Sequence, residues 1–117
     1  MKKILLVEDV DMNIDLLTQL LEDEYELAVA KDGIQAVEVF TTFQPDLILM
    51  DINLPIIDGY EVVARIRPMN QVIPIIGVSA HAMQGDAEKA VSRGFTDYIT
   101  KPINEDLLFT KIQQAIG

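Results

Sequence analysis

The chain has 117 residues, half of them hydrophobic, and a formal net charge of -10 from 19 acidic and 9 basic residues. This length suits one domain, covering 1–117, with a single hydrophobic core, and the hydrophobic content excludes a disordered chain. The negative charge argues against direct binding to nucleic acid or to an anionic membrane surface, because both have charge of the same sign. The absence of cysteine excludes disulfides, thiolate nucleophiles and cysteine-bound zinc.

The sequence contains no apolar run near the ~20 residues that a membrane span requires. Only four apolar residues separate Lys3 from Glu8, which is too short for a signal peptide. We therefore expect a cytoplasmic protein.

Short apolar runs, which predict strands, alternate along the chain with stretches that have the period of a helix. In chain order the prediction is strand 4–7, helix 11–22, strand 27–30, helix 32–43, strand 47–50, helix 58–67, strand 75–78, helix 83–92, strand 98–100 and helix 104–116. Asn104 is a typical N-cap for the last helix, and Gly94 is a typical stop for the fourth.

Each predicted helix has an apolar stripe that should face the core. The stripes consist of Ile14, Leu17, Leu20 and Leu21; Ala36, Val37, Phe40 and Phe43; Val62, Val63 and Ile66; the weaker set Ala87, Ala90 and Val91; and Leu107, Leu108, Ile112 and Ala115.

Five strands alternating with five helices predict an α/β fold with a five-stranded parallel sheet between two layers of helices. The runs 4–7 and 47–50 are apolar throughout, as in central strands, whereas 27–30 is flanked by charge and suits an edge. Right-handed crossovers then favour a doubly wound sheet in the order 2-1-3-4-5. A dinucleotide-binding fold is disfavoured because three of the four residues 8–11 are acidic where a glycine-rich phosphate loop would be required.

Polar residues follow four of the predicted strands. Glu8 and Asp9 follow the first, Asp51 the third, Ser79 the fourth and Lys101 the fifth. The carboxyl ends of parallel strands lie along one edge of the sheet, and the ligand crevice opens between the first and third strands. Asp9 and Asp51 should therefore face each other across that crevice.

Three carboxylates in one crevice repel one another, and a hard divalent cation such as Mg²⁺ would relieve this repulsion. Asp51, held at the end of a buried strand, suits a nucleophile, and Lys101 could pair with it and then bind a transferred phosphoryl oxygen. The plainer alternatives are a solvated turn for Glu8 and Asp9, a strand-end cap for Asp51 and a surface lysine for Lys101.

Ser79 could donate its hydroxyl hydrogen to the same phosphoryl group, although a turn serine is the plainer interpretation. His81 is the only histidine, and a lone histidine is more often a surface residue than a catalytic base.

These residues belong to longer motifs: Glu8-Asp9, the run 50–55 (MDINLP) with Asp58-Gly59 downstream, Ser79-Ala80, and the run 98–102 (YITKP). Together and in this order they resemble the response-regulator receiver domain of two-component signalling, over essentially the whole chain. The resemblance implies a flavodoxin-like (βα)5 three-layer sandwich.

The resemblance also implies a set of metal ligands. Asp51 would be the phosphoacceptor, and Asp9 and Asp51 would bind Mg²⁺ directly, with Mn²⁺ as the alternative ion. The backbone carbonyl of Asn53 would be the third protein ligand, and Glu8 would act through water.

For the phosphoryl group, the resemblance implies contacts from Lys101 and Ser79. Tyr98 would be the aromatic switch that turns inward when Ser79 moves, and the bond before Pro102 would be cis. We further predict that Asn53 and His81 tune the access of water to the acyl phosphate.

The implied function is a phosphoryl-accepting switch in a phosphorelay. A histidine kinase or a histidine phosphotransfer protein would supply the phosphoryl group from a phosphohistidine. The surface of the fourth helix, fifth strand and fifth helix would then bind a downstream protein target, with no direct contact to nucleic acid or membrane. Such a chain is not an enzyme in the ordinary sense, because it catalyses only its own phosphorylation and dephosphorylation.

One question of organisation stays open at this stage, whether the chain is a stand-alone regulator or the receiver of a larger hybrid kinase. The chain ends just after the fifth helix, so we expect no output domain. Asn13 and the run 79–83 favour the receiver of a hybrid histidine kinase, whereas the Met1 start and the complete ending favour a stand-alone regulator.

Three other functions compete with the switch. An aspartyl-nucleophile phosphatase would usually have an acid two residues after the nucleophile, but Asn53 cannot protonate a leaving group. A contact-only binding module would not need the full set of Asp9, Asp51, Ser79 and Lys101. A flavin-binding electron carrier of the same topology is disfavoured by the acidic first turn and by the lack of tryptophan.

Overall fold

The computed structural model describes residues 1–80 and 85–117. Within these residues, strands and helices alternate from the start of the chain to its end. They are β1 (Lys3–Val7), α1 (Asp11–Leu21), β2 (Glu26–Ala30), α2 (Gly33–Phe43), β3 (Leu47–Asp51), α3 (Gly59–Ile66), β4 (Ile75–Ser79), α4 (Asp86–Ser92), β5 (Asp97–Thr100) and α5 (Glu105–Ile116). No helix among the described residues is both long and apolar enough to cross a membrane.

The five strands form one parallel sheet in the order β2-β1-β3-β4-β5, which confirms the predicted doubly wound topology and places β2 at an edge. The register aligns the carboxyl ends of the strands. Val7 pairs with Met50, Asp51 with Val78, and Ser79 with Thr100. The polar residues at the ends of β1, β3, β4 and β5 therefore meet along one edge of the sheet, as expected.

Two hydrophobic clusters cover the two faces of the sheet. Leu5 and Ile48 point to one face and pack with residues of α2 and α3. Ile4 and Leu49 point to the other and pack with residues of α1 and α5. Because successive side chains of a strand alternate between faces, a strand buried on both sides is apolar at every position. This explains the uninterrupted apolar runs of β1 and β3.

Three helices begin at side-chain caps. Asp32, Asp58 and Asn104 each accept a hydrogen bond from the backbone N–H three residues later, which satisfies a donor that the first helical turn leaves unpaired. The prediction for Asn104 is confirmed. At the end of α4, Gly94 has a φ of +110°, a left-handed conformation that glycine adopts at low cost, so its predicted role as a helix stop is also confirmed.

The predicted inward stripes were wrong at three positions. Ala87 and Val91 of α4 are exposed, and Ala90 is the one buried α4 side chain in the described part of the chain. Leu107 of α5 is also exposed, whereas its neighbour Leu108 is fully buried. Adjacent helical residues differ by about 100° in direction, so when Ala90 and Leu108 face the core, Val91 and Leu107 turn toward solvent.

Candidate functional site

Asp51 is the last residue of β3, which extends one residue beyond the predicted strand 47–50. Its side chain is buried, and the backbone N–H of Asn53 donates to its Oδ1 at 3.0 Å. The loop that follows is fixed on both sides, because Ile52 N–H donates to Val78 O and Gly59 N–H donates to Ile52 O. The Asp51 carboxylate is therefore held in one position at the carboxyl edge of the sheet.

Glu8 and Asp9 follow β1 directly, and the structure places them differently. Glu8 is only 3% exposed, and its Oε2 accepts hydrogen bonds from the N–H groups of Asp9 (3.0 Å) and Val10 (3.3 Å). Asp9 is exposed to solvent. One carboxylate oxygen from each of Glu8, Asp9 and Asp51 lies within 4.8 Å of the other two. The carboxylates that were predicted to meet between the first and third strands therefore do lie together.

Lys101 connects the two buried acids. Its Nζ donates to Glu8 Oε1 at 3.1 Å and to Asp51 Oδ2 at 3.3 Å. Its backbone N–H donates to the Ser79 carbonyl, which fixes the start of the loop after β5, and the following bond to Pro102 is cis as predicted. Lys101 is not a free surface lysine, and the pair with Glu8 is a contact that the sequence analysis did not anticipate.

Glu8 and Lys101 affect each other's pKa. Burial raises the pKa of Glu8, and the negative charge of Asp51 adds to this effect, whereas the hydrogen bond from Lys101 opposes it. Burial by itself would lower the pKa of Lys101, but the hydrogen bond to Glu8 and the charge of Asp51 outweigh burial and raise that pKa. Lys101 therefore stays cationic at neutral pH.

Ser79 is the last residue of β4 and is buried next to this cluster. The Asn53 side chain reaches over it, with Nδ2 donating to Ser79 Oγ at 3.4 Å. Asn53 thus contacts Asp51 through its backbone and Ser79 through its side chain. His81 lies outside the residues that the structure describes.

Tyr98 lies further from the acidic cluster. It pairs in register with Gly77 of β4, two residues before Ser79, and is half-buried against the cluster that includes α3 and α4. Tyr98 is therefore set back from Ser79 by about 7 Å along the strand direction, toward the amino ends of the strands, at ~3.3 Å per strand residue.

Gly59 lies directly behind the site, and the sequence alone did not show why this position requires glycine. A Cβ atom at this position would lie 2.9 Å from Ile52 Cα and 3.1 Å from the Asp51 carbonyl oxygen. Both neighbours are backbone atoms and cannot rotate away. The first residue of α3 must therefore be glycine for the helix to pack this closely behind Asp51. The Asp58-Gly59 motif was the signal in the sequence.

The donor set fits a hard divalent cation. Three carboxylates converge and Lys101 offsets one of their charges, so up to two negative charges remain to be balanced. Carboxylate and carbonyl oxygens are the ligands that Mg²⁺ and Mn²⁺ prefer. Glu8, Asp9 and Asp51 are the residues that could hold such an ion.

Comparison with known proteins is consistent with this geometry. A family model for the response regulator receiver domain matches residues 4–113. Hybrid signal transduction histidine kinase I of Dictyostelium discoideum is 42% identical over 125 residues, covering 98% of this chain and 7% of the kinase. The chemotaxis protein CheY of Halobacterium salinarum is 35% identical over 116 residues, covering 98% of this chain and 97% of CheY. The chain thus spans a small part of the first relative and nearly all of the second.

Two solved structures are also similar. The receiver domain of sensor histidine kinase PA1611 from Pseudomonas aeruginosa, which has a magnesium ion in its active-site cleft, is 38% identical with a TM-score of 0.90 (99% of this chain, 98% of that one). The receiver domain of the response regulator Ssk1 from Saccharomyces cerevisiae, in complex with the histidine phosphotransfer protein Ypd1, is matched at 30% identity with a TM-score of 0.90 (97% and 88%). Receiver domains are signalling switches rather than classical enzymes. The chain belongs to the response regulator receiver domain family.

Proposed function

We propose that the chain is a phosphoryl-accepting switch in which Asp51 takes a phosphoryl group from a phosphohistidine. The environment of Asp51 is the observation that most strongly supports this function. Its carboxylate is buried and fixed by the Asn53 N–H, and the Lys101 ammonium lies 3.3 Å from its other oxygen. A nucleophile held in place beside a fixed positive charge is what phosphoryl transfer requires, because catalysis of this reaction is mainly positioning and electrostatic stabilisation.

In the proposed reaction a carboxylate oxygen of Asp51 attacks the phosphorus of the donor phosphohistidine. The P–N bond breaks, the bonding electron pair leaves with the imidazole nitrogen, and an aspartyl phosphate forms. Lys101, whose ammonium lies 3.3 Å from Asp51 Oδ2, offsets negative charge on the oxygens of the transferring group. Hydrolysis of the acyl phosphate by water later restores the Asp51 carboxylate.

Mg²⁺, or Mn²⁺ in its place, is the proposed cofactor, with Asp9, Asp51 and the backbone carbonyl of Asn53 as ligands and Glu8 acting through water. When bound, the ion supplies positive charge that stabilises the oxygens of the phosphoryl group. The converging carboxylates support this assignment, as does the magnesium-bound cleft of the similar PA1611 receiver domain.

The switch itself is proposed to start at Ser79. This residue is buried beside Asp51 and would donate its hydroxyl hydrogen to the new phosphoryl group, and Tyr98 would then turn inward. The response would reach the surface formed by α4, β5 and α5, which would bind a downstream protein target. Tyr98 is half-buried against the hydrophobic cluster that includes Ala90 of α4, which supports this route.

For partners, we propose a histidine kinase or a histidine phosphotransfer protein as the phosphoryl donor, acting in the cytoplasm. The complex of Ypd1 with the Ssk1 receiver domain supports a phosphotransfer protein. The relatives support both a stand-alone regulator and the receiver of a hybrid kinase. That residues 1–117 form one receiver domain stays a prediction.

The proposal is tested by intact mass spectrometry after incubation of the chain with acetyl phosphate and Mg²⁺. We expect one added phosphoryl group on the wild type and none on Asp51→Asn or without Mg²⁺. Asp11→Asn is the matched control, because Asp11 is an exposed acid nearby that pairs with Lys31 rather than with the site, and it should be phosphorylated normally. Phosphorylation of Asp51→Asn would contradict the assignment. A wild type that neither gains mass nor binds beryllium fluoride would favour the contact-only module.

A further inference from the structure

We propose that Ile56 is a docking contact for the protein that donates the phosphoryl group, and that it favours such a protein over a small-molecule donor. The protein surface that it fits has apolar side chains beside the phosphohistidine. This inference rests on the proposed function and deepens it, because it names the chemistry of the donor's surface. It follows from an exposed isoleucine whose backbone conformation is strained.

Ile56 lies in the loop between β3 and α3 and has a φ of +72°. Among the described residues, the one other non-glycine residue with a positive φ is Gln44, at the end of α2. Ile57 N–H donates to the Pro55 carbonyl at 2.9 Å. Residues 55–57 therefore form a γ-turn with a positive central φ, a form that is rare and strained. Isoleucine suits this conformation poorly, because its branched Cβ crowds the backbone.

The residues on either side of Ile56 are anchored to the domain. Leu54 is buried. Ile57 packs on the start of α2, where a Cβ atom at Gly33 would lie 2.6 Å from the Ile57 carbonyl oxygen. The Ile56 side chain, by contrast, is 75% exposed. Folding gains little from an isoleucine whose side chain stays in water while its backbone is strained. A strained residue of this kind beside an active site therefore indicates a functional role.

Ile56 is close enough to Asp51 to be covered by a protein that delivers a phosphoryl group there. Gly59 lies against the Asp51 backbone, since a Cβ atom at Gly59 would be 3.1 Å from the Asp51 carbonyl oxygen. Ile56 is three residues before Gly59, which limits their Cα–Cα distance to about 11 Å. A standard interface buries about 800 Å² on each partner, equivalent to a disc with a radius of about 16 Å. A donor protein centred on Asp51 therefore covers Ile56.

The loops of this edge indicate that the donor's surface is apolar beside its histidine. Ile56 follows Asp51 on the loop after β3, and Val10 follows Asp9 on the loop after β1, the neighbouring strand. Both side chains are exposed. Burying them against apolar side chains removes apolar surface from water and stabilises the complex. A small-molecule donor reaches Asp51 without covering either residue.

The test compares two donors that both have a P–N bond to an imidazole, in the presence of Mg²⁺. Phosphoimidazole has no protein surface, whereas the histidine phosphotransfer protein Ypd1, phosphorylated on its histidine, has one. Intact mass spectrometry gives the phosphorylation rates of the wild type, Ile56→Asn and Ile56→Leu. Asparagine tolerates a positive φ, so Ile56→Asn removes the apolar side chain and keeps the turn.

We expect Ile56→Asn to react with phosphoimidazole as fast as the wild type, but about tenfold more slowly with phosphorylated Ypd1, as for loss of a central interface contact. Ile56→Leu keeps an apolar side chain and should retain most of the rate with both donors. A wild type that reacts with phosphorylated Ypd1 no faster than with phosphoimidazole would overturn the inference, and so would an Ile56→Asn variant that slows both donors equally.

Val72→Asn is the matched control. Val72 is an apolar residue, 87% exposed, in the segment before β4, and so lies at the opposite, amino edge of the sheet. Its replacement should leave the rates with both donors unchanged. If Val72→Asn slows transfer from Ypd1 as much as Ile56→Asn does, the effect is one of general surface hydrophobicity and Ile56 is not a docking contact.

Urea unfolding tests the strain separately and without any donor. Ile56→Asn should raise the unfolding midpoint, because asparagine adopts a left-handed conformation at lower cost than isoleucine. A midpoint at or below that of the wild type would remove the argument from strain and overturn the inference. The two proposals stay distinguishable. If phosphoimidazole does not phosphorylate the wild type, the proposed function fails and the docking contact fails with it; if it does, but Ile56→Asn matches the wild type with both donors, the docking contact alone fails.

Discussion

Replacement of Lys101 by methionine tests the electrostatics of the site most sharply. The Lys101 ammonium bonds to Glu8 Oε1 and Asp51 Oδ2, and the side chains of these acids are only 4% and 8% exposed. Methionine keeps the length and apolar stem of lysine but removes the positive charge. The two buried carboxylates would then face each other without a cation between them. Glu8 would lose the hydrogen bond from Lys101 that now lowers its pKa, so this pKa would rise further.

The expected cost follows from the burial of the pair. Breaking a buried ion pair by removing one partner costs about 3–5 kcal/mol, because the remaining charge has no compensation. Lys101 itself is 21% exposed, so water reaches the gap and we expect a loss at or just below this range, about 2–3 kcal/mol. With a urea dependence of about 1–2 kcal/mol per molar for a domain of this size, the unfolding midpoint should fall by roughly 1–3 M.

The chain offers a matched control in Lys111→Met. Lys111 has the same 21% side-chain exposure as Lys101 and forms a shorter ion pair, 2.8 Å, with Asp97, but Asp97 is 38% exposed. Water can hydrate Asp97 once Lys111 is gone, so this variant should lose less than about 1 kcal/mol. Both variants are measured by urea unfolding in a chelating buffer. If Lys101→Met is no more destabilising than Lys111→Met, the electrostatic account of the site is wrong.

Three further predictions concern the same edge of the sheet. Mg²⁺ should raise the urea midpoint of Lys101→Met more than that of the wild type, because the ammonium no longer repels the ion; an equal or smaller gain would contradict carboxylate binding of the metal. Gly59→Ala should destabilise the fold by about 1–3 kcal/mol through overpacking and slow phosphorylation, since its Cβ would lie 2.9 Å from Ile52 Cα; unfolding and phosphorylation kinetics that match the wild type would refute this. Asn53→Ala and His81→Ala should each change the rate of dephosphorylation, measured by loss of the added mass, and unchanged rates would exclude the tuning role.

Much of the site could be predicted because it depends on strand order alone. Once 4–7 and 47–50 were identified as buried strands, the parallel sheet placed Asp9 near Asp51 without knowledge of any side-chain conformation. The burial difference between Glu8 and Asp9 could not be predicted in this way. It depends on the turn after β1, in which two backbone N–H groups draw the Glu8 side chain inward.

The environment of α4 was predicted least well, for a physical reason. Helical periodicity indicates an apolar face only when several side chains are buried, and α4 buries Ala90 alone among its described residues. Its attachment depends instead on Arg67 and Tyr60 of the preceding helical region and on a glycine packed against Val63. Contacts of this kind arise between elements distant in sequence, and they leave no periodic signal in either element.

The central claim, that Asp51 is the acceptor, is tested most directly by trapping the product of transfer. The chain is incubated with Mg²⁺ and a histidine phosphotransfer protein phosphorylated on its histidine, then treated with borohydride, which reduces an aspartyl phosphate to homoserine. Peptide mass spectrometry then identifies the reduced position. The account predicts homoserine in place of Asp51 and unmodified Glu8 and Asp9. Reduction at Asp9 instead, or none anywhere although the donor has lost its phosphoryl group to the chain, would contradict it.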